Sequence, residues 1–207
     1  MRCINFIFCC LIFLSSNAQE ELSKNKSAGD FSLGLRSTSS NFENTNSSIP
    51  GIGTGGDFRI RLSDRVNTDW FADYIMSTTD RLKRNDFHIG WSVLFYPFNF
   101  QNRGFKPYVL AGHCFDYSEF VDLKNFNHNA NRWSSAIQGG FGTHYYFTSR
   151  FDMIFQAQYM MHLGTHLEAE VINNYIEFSK GKGALSEGHL LITVGFNYKI
   201  GKLWGRK

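Results

Sequence analysis

The chain has three prolines and four cysteines in 207 residues. Cys3, Cys9 and Cys10 stand at its start, and Cys114 is the only later one. Once an N-terminal leader is removed, no intramolecular disulfide can form, which excludes the disulfide-stapled class of small secreted domain. Beyond the N-terminus no run approaches the roughly 18 uninterrupted apolar residues of a spanning helix. The formal net charge of +3 is too small to predict a nucleic-acid partner. None of the seven histidines is followed by x-Ser. What the chain has in quantity is aromatic residues, at 16%.

The first segment reads as a leader. Arg2 gives a positive start, Ile4 to Leu14 an apolar core of secretory length, and Ser16-Asn17-Ala18 a small-x-small cleavage site. The expected organisation is a signal peptide over 1–18, a short periplasmic lead-in over 19–28, a barrel over 29–200 and a tail over 201–207.

The fold is most legible between Trp133 and Leu163. Phe151, Met153, Phe155, Ala157, Tyr159, Met161 and Leu163 share one parity, and Asp152, Ile154, Gln156, Gln158, Met160 and His162 the other. Ile137, Phe141, Tyr145 and Phe147 oppose Gln138, Gly140, Gly142 and His144 in the same way. Period-two alternation sends successive side chains to opposite faces of a strand. Two such runs joined at Thr148-Ser149-Arg150 predict a hairpin with one apolar and one polar face. Both runs exceed the usual ~5–6 residues of a soluble strand and match the ~9–11 of a tilted membrane strand.

The same reading yields six more strands. Phe31, Leu33 and Leu35 mark the first, and Phe58, Ile60 and Leu62 the second. Trp70, Ala72, Tyr74 and Met76 mark the third, and Phe87, Ile89, Trp91, Val93 and Phe95 the fourth. The fifth starts at Lys106, and Tyr108, Leu110 and Gly112 are placed outside because the other phase puts His113 in lipid. The eighth runs from His189 to Ile200, with Leu190, Ile192, Val194, Phe196, Tyr198 and Ile200 outside. Polar segments 37–50, 118–132 and 165–186 read as long external loops, 79–85 as a loop, and 63–67 and 148–150 as periplasmic turns. The fold class is therefore all-β: a single antiparallel up-and-down transmembrane β-barrel of eight strands, an even number with short turns at one end.

At Lys106-Pro107-Tyr108-Val109-Leu110-Ala111-Gly112 and at Gly139-Gly140-Phe141-Gly142-Thr143-His144-Tyr145-Tyr146 the chain resembles the porin-like small outer-membrane β-barrel family, the OmpA transmembrane domain and OmpX-type barrels. The resemblance covers roughly 29 to 200. It implies residence in a Gram-negative outer membrane, contact with its lipid and lipopolysaccharide, and insertion by the barrel-assembly machinery. It brings no catalytic signature. Such barrels often end on an aromatic residue; here Ile200 is followed by Gly201-Lys202-Leu203-Trp204-Gly205-Arg206-Lys207.

Three classes of chemistry are weighed against this frame. Gly51-Ile52-Gly53-Thr54-Gly55-Gly56 fits G-x-G-x-x-G, but strand alternation follows it where a dinucleotide site needs a helix; it reads as a glycine-relaxed strand end. Lipid A deacylase barrels carry a His-x-Ser that is missing here, so no enzyme activity is expected. His162 and His166 are about 13 Å apart on a strand, too far for one metal, and no metal or cofactor is expected. Cys114 reads as an ordinary strand residue. The loop 118–132, with Phe120, Phe126 and Trp133 beside it, is a candidate contact tip for an external ligand or surface partner. Asp57, Arg59, Arg61, Asp73, His88, His144, Gln156, Gln158, His162 and Lys199 are the candidate interior polar network. An eight-stranded barrel has an interior just wide enough for side chains to fill. The expected function is thus a membrane anchor or surface-interaction protein; the alternative is a narrow pore.

Overall fold

In the computed structural model the described residues are 27–42, 50–98, 104–172 and 175–204. They form eight strands: β1 (Asp30–Phe42), β2 (Gly51–Arg61), β3 (Val66–Thr78), β4 (Leu82–Phe95), β5 (Phe105–Asp122), β6 (Asn125–Tyr146), β7 (Phe151–Ile172) and β8 (Tyr175–Lys202). Each pairs antiparallel with its sequence neighbours, and β8 returns to β1, so the barrel is closed. Closure leaves no unpaired sheet edge, which is the condition for a sheet to stand in an apolar solvent. No helix among the described residues is long and apolar enough to cross a membrane, and that has no bearing on strands. The expected leader over 1–18 and most of the lead-in lie outside the described residues. The segment expected as a tail begins inside β8, and Leu203 N–H donates to the Gly29 carbonyl at 2.8 Å.

The alternation has the expected consequence. Leu35, Ile52, Ile89, Phe141 and Phe196 are all more than half exposed on the outside. Aromatic rings chain around that surface. Tyr74, Phe87, Tyr117 and Trp133 link β3 to β6 with centroids 4.7, 6.1 and 4.9 Å apart. Near the 147–150 turn, Phe151 meets Tyr198 at 4.8 Å and Phe105 meets Tyr145 at 4.9 Å. An apolar surface this continuous is unfavourable against water and favourable against lipid.

Two expectations are corrected. The phase of the fifth strand is reversed: Tyr108 and Leu110 are buried inside, while Val109 and Phe115 are exposed outside. His113 faces outward and its Nε2 lies 2.9 Å from Ser135 Oγ on the next strand, so its polar edge is satisfied there. The competing phase would send Asp116 and Ser118 outward, a heavier penalty than one imidazole already bonded to Ser135.

The segments expected as loops are mostly strand. β5 and β6 pair from Phe105–Tyr145 up to Asp122–Asn125, so 118–132 is a hairpin closed by Leu123-Lys124. β7 and β8 likewise pair from Gly164–Gly183 to Ile172–Tyr175 across the segment expected as loop 165–186. Gly164, at φ +107°, marks the register shift where this extension begins. The first strand runs through Ser37 to Phe42, and the fourth starts at Leu82 rather than after Asn85. These stretches read as loops because beyond the apolar belt both faces of a strand meet polar surroundings, and the alternation fades.

The glycine motif lies wholly within β2. A Cβ at Gly53 would fall on the Tyr74 carbonyl and Ile75, and one at Gly55 on Asp73 and the Ala72 carbonyl. The glycines are there for close approach to β3, not for a phosphate.

Candidate functional site: the barrel interior

The interior is stacked in levels. At the end carrying the short turns, Arg59 Nη2 donates to Asp152 Oδ2 at 2.6 Å and Nη1 lies 2.9 Å from His144 Nδ1. His144 Nδ1 is itself 3.0 Å from Asp152 Oδ1. The three come from β2, β6 and β7, so the cluster spans the lumen. Asn67 Nδ2 donates to Tyr96 Oη at 2.7 Å beside it. At the rim, Lys199 is half-buried and pairs with Asp30 at 2.6 Å, and Arg61 and Arg150 line the same mouth.

The next level holds two structures side by side. Arg36 reaches Asp73 at 3.1 Å and Asp69 at 3.7 Å, with its guanidinium 4.6 Å over the Phe71 ring. Asp57 is buried on the same side of β2. Opposite stands a head-to-tail amide chain. Tyr108 Oη donates to Gln156 Oε1 (2.9 Å), Gln156 to Gln158 (2.8 Å), Gln158 to Gln138 (3.2 Å), and Gln138 to Ser92 Oγ (2.8 Å). Each amide spends one donor and one acceptor in the chain, as buried side chains must.

Above it lies an apolar layer of Phe71, Ile75, Cys114, Ala136, Met160 and Leu191, all buried inside the barrel. Cys114 is a free thiol in this layer. The alternation alone gave no sign of the layer, because an apolar residue on the polar parity looks like noise in one strand and becomes a layer only across several.

Towards the long hairpins a second polar cluster follows. His88 Nε2 is 3.2 Å from Asp116 Oδ1, and His162 Nδ1 is 3.3 Å from Asp116 Oδ2. His162 Nε2 is 3.2 Å from His189 Nε2. Ser118 and Ser134 donate to Asp116 at 3.1 and 3.2 Å. Arg84 Nε is 3.0 Å from both oxygens of Asp86, and Arg132 lies 3.7 Å from Asp116. Arg84 also stacks 5.0 Å over Phe120. At the hairpin tip, beyond the apolar belt, Asp122 accepts from the Lys124 backbone N–H at 2.9 Å and pairs with Arg81 at 3.5 Å. That N–H first, and then the guanidinium, hold its carboxyl below the usual carboxylate range.

The ten residues of the candidate network are thus placed as follows. Arg59 and His144 share one cluster, and Gln156 and Gln158 one amide chain. Asp57 and Asp73 lie near Arg36, His88 and His162 meet at Asp116, and Arg61 and Lys199 sit at the rim. Arg36, Asp69, Arg84, Asp86, Asp116, Arg132, Ser134, Gln138, Asp152 and His189 belong to the same clusters and are absent from the expected set. Asp86 and Arg132 could have been found by extending the inward parity from Phe87 and Trp133. Asp116 needed the correct phase of β5.

No protein-family model matches the chain, and no curated protein does. Solved structures do. Neisserial surface protein A is similar with a TM-score of 0.62 at 13% identity, over 82% of this chain and 97% of that one. The N-terminal β-barrel domain of Pseudomonas aeruginosa OprF gives 0.50 at 16%, over 81% and 97%. The outer membrane protein OprG of the same organism gives 0.51 at 13%, over 85% and 99%. The fold of this chain is that of the small eight-stranded outer-membrane barrels.

Proposed function

We propose that the protein resides in a Gram-negative outer membrane as a barrel anchor and presents its two long hairpins to the exterior as a contact surface. The observation that carries this reading is the combination of an apolar outer belt with a lumen crossed by buried side chains. Ion pairs, the amide chain and the layer of Phe71, Ile75, Met160 and Leu191 occupy the space a solute path would need. On the hairpins, Phe126, Trp133 and Tyr175 are about 70% exposed or more. His128 of one hairpin meets Phe178 of the other at 4.8 Å, so the two form one surface. Lipid and lipopolysaccharide would surround the belt, an external ligand or partner would meet the hairpins, and the assembly machinery would insert the barrel.

Trypsin on intact cells tests the topology and planar-bilayer recording the lumen. Lys124, exposed at the tip, should be cut from outside, while Arg132, buried 3.7 Å from Asp116, is spared. Purified barrel should give no sustained conductance. Steady channel steps would support the narrow pore instead, and resistance of Lys124 in intact cells with cleavage after lysis would place the hairpins inside.

A further inference from the structure

The upper cluster contains an arrangement that a polar plug does not require. His162 and His189 stand on β7 and β8 with their Nε2 atoms 3.2 Å apart. The other nitrogen of each ring faces oxygen: His162 Nδ1 is 3.0 Å from Ser134 Oγ and 3.3 Å from Asp116 Oδ2, and His189 Nδ1 is 3.4 Å from Ser40 Oγ. Ser134 donates to Asp116 Oδ2 at 3.2 Å, and the Ser118 hydroxyl lies between Asp86 Oδ1 at 2.6 Å and Asp116 Oδ2 at 3.1 Å. A carboxylate so placed accepts and does not donate, so His162 carries its proton on Nδ1 and turns the Nε2 lone pair towards His189. This is the carboxylate–histidine relay that orients metal-binding imidazoles. Two ligand atoms of a tetrahedral ion, each at ~2.0–2.1 Å, lie roughly 3.3 Å apart, close to the separation seen.

A third imidazole is at hand. The His88 ring is 5.6 Å from that of His189, and the rings of His162 and His189 are 4.8 Å apart. Imidazoles sharing a tetrahedral ion have centres about 5 Å apart. His88 is fully buried; its Nε2 faces Asp116 Oδ1 at 3.2 Å, and its Nδ1 makes no hydrogen bond. With Asp86 and Asp116 it also forms a group whose ligand atoms lie within 4.8 Å of one another. Arg84 and Arg132 lie against those two carboxylates.

We propose that His88, His162 and His189 form a binding site for a divalent first-row transition ion, with zinc or cobalt as the fitting geometry, oriented by Asp116 as a positioning residue. The ion would tie β4, β7 and β8 together above the apolar layer. The sequence gives no hint of it: His162 and His189 are 27 positions apart, and only barrel closure brings β4 to the same level.

Refolded barrel in detergent micelles, stripped with EDTA and titrated with Co2+, tests the site directly. The expected result is one ion per barrel with the visible bands of tetrahedral cobalt, displaced by Zn2+. H162Q and H189Q should each abolish those bands, and D116N should weaken binding by about 10–100-fold. H113Q and H128Q, on the outer surface and the tip, should change nothing. Should the histidine variants not fold, X-ray absorption on the zinc-loaded wild type decides, with imidazole nitrogens expected at about 2.0–2.1 Å. Folded wild type that gives no tetrahedral cobalt spectrum, binding that survives H162Q and H189Q, or a zinc shell without imidazole overturns the site. The pair would then be a plain N–H···N hydrogen bond.

Discussion

The Tyr108 hydroxyl of β5 donates to Gln156 of β7 at 2.9 Å, passing over Gly142 of the strand between them. A Cβ at Gly142 would strike the Tyr108 ring and hydroxyl. The contact therefore needs three strands to agree: a phenol on one, an amide on another and no side chain on the middle one. Tyr108→Phe removes the donor and leaves the Gln156 oxygen buried, at a cost of about 1–3 kcal/mol. Gly142→Ala should cost more than the phenylalanine, because it also crowds the Phe155 carbonyl. Urea unfolding of refolded barrel, read by gel mobility before and after boiling, checks both. A stable Gly142→Ala variant would mean the ring does not cross there.

Arg36 supplies the positive charge nearest to Asp69 and Asp73, with no exposed side-chain surface. Replacing one partner of a buried pair leaves charge without compensation, at about 3–5 kcal/mol. Arg36→Met should therefore destabilise strongly in the same unfolding assay. Adding Asp73→Asn to Arg36→Met should recover part of the loss, since the burden is the stranded carboxylate. A double variant worse than the single by the sum of two independent effects would show that the pair is not coupled.

The reversed phase of β5 can be read with spin labels. In a Cys114→Ala background, a label at Val109 should collide freely with lipid-dissolved oxygen, and one at Leu110 should be shielded from it. The two side chains differ in the same sense, exposed against buried. If Leu110 is the oxygen-accessible position, the inward set on β5 is wrong, and Asp116 with it.

Asp122 ties the β5–β6 tip to its own turn through the Lys124 amide at 2.9 Å. With its folded pKa held low, its contribution is fully present above the unfolded value of about 4 and lost as pH falls through the folded one. Amide exchange at Lys124, followed by NMR in micelles, should therefore show protection that survives to pH 4 and disappears at lower pH. Asp122→Asn should show weakened protection with no such pH step. A step at or above pH 4 in the wild type would contradict the assigned partners.

The sequence by itself determined the class of fold, the number of strands and the outward face of seven of them. Lipid is a uniform solvent, and every residue that meets it obeys the same rule, so Phe151 to Leu163 declares its parity without reference to any neighbour. The inward face obeys no such local rule. Whether Arg36 has a carboxylate, whether Met160 meets Leu191, and whether His162 meets His189 depend on which strands closure brings to one height. The fifth strand shows the limit: one imidazole, His113, set the local reading, and the decision belonged to Asp116 and its partners on β4, β6 and β7. The long hairpins show another. Above the apolar belt both faces of a strand meet polar surroundings, the two-residue period carries little free-energy difference to record, and backbone pairing between β5 and β6 or β7 and β8 reveals the strand.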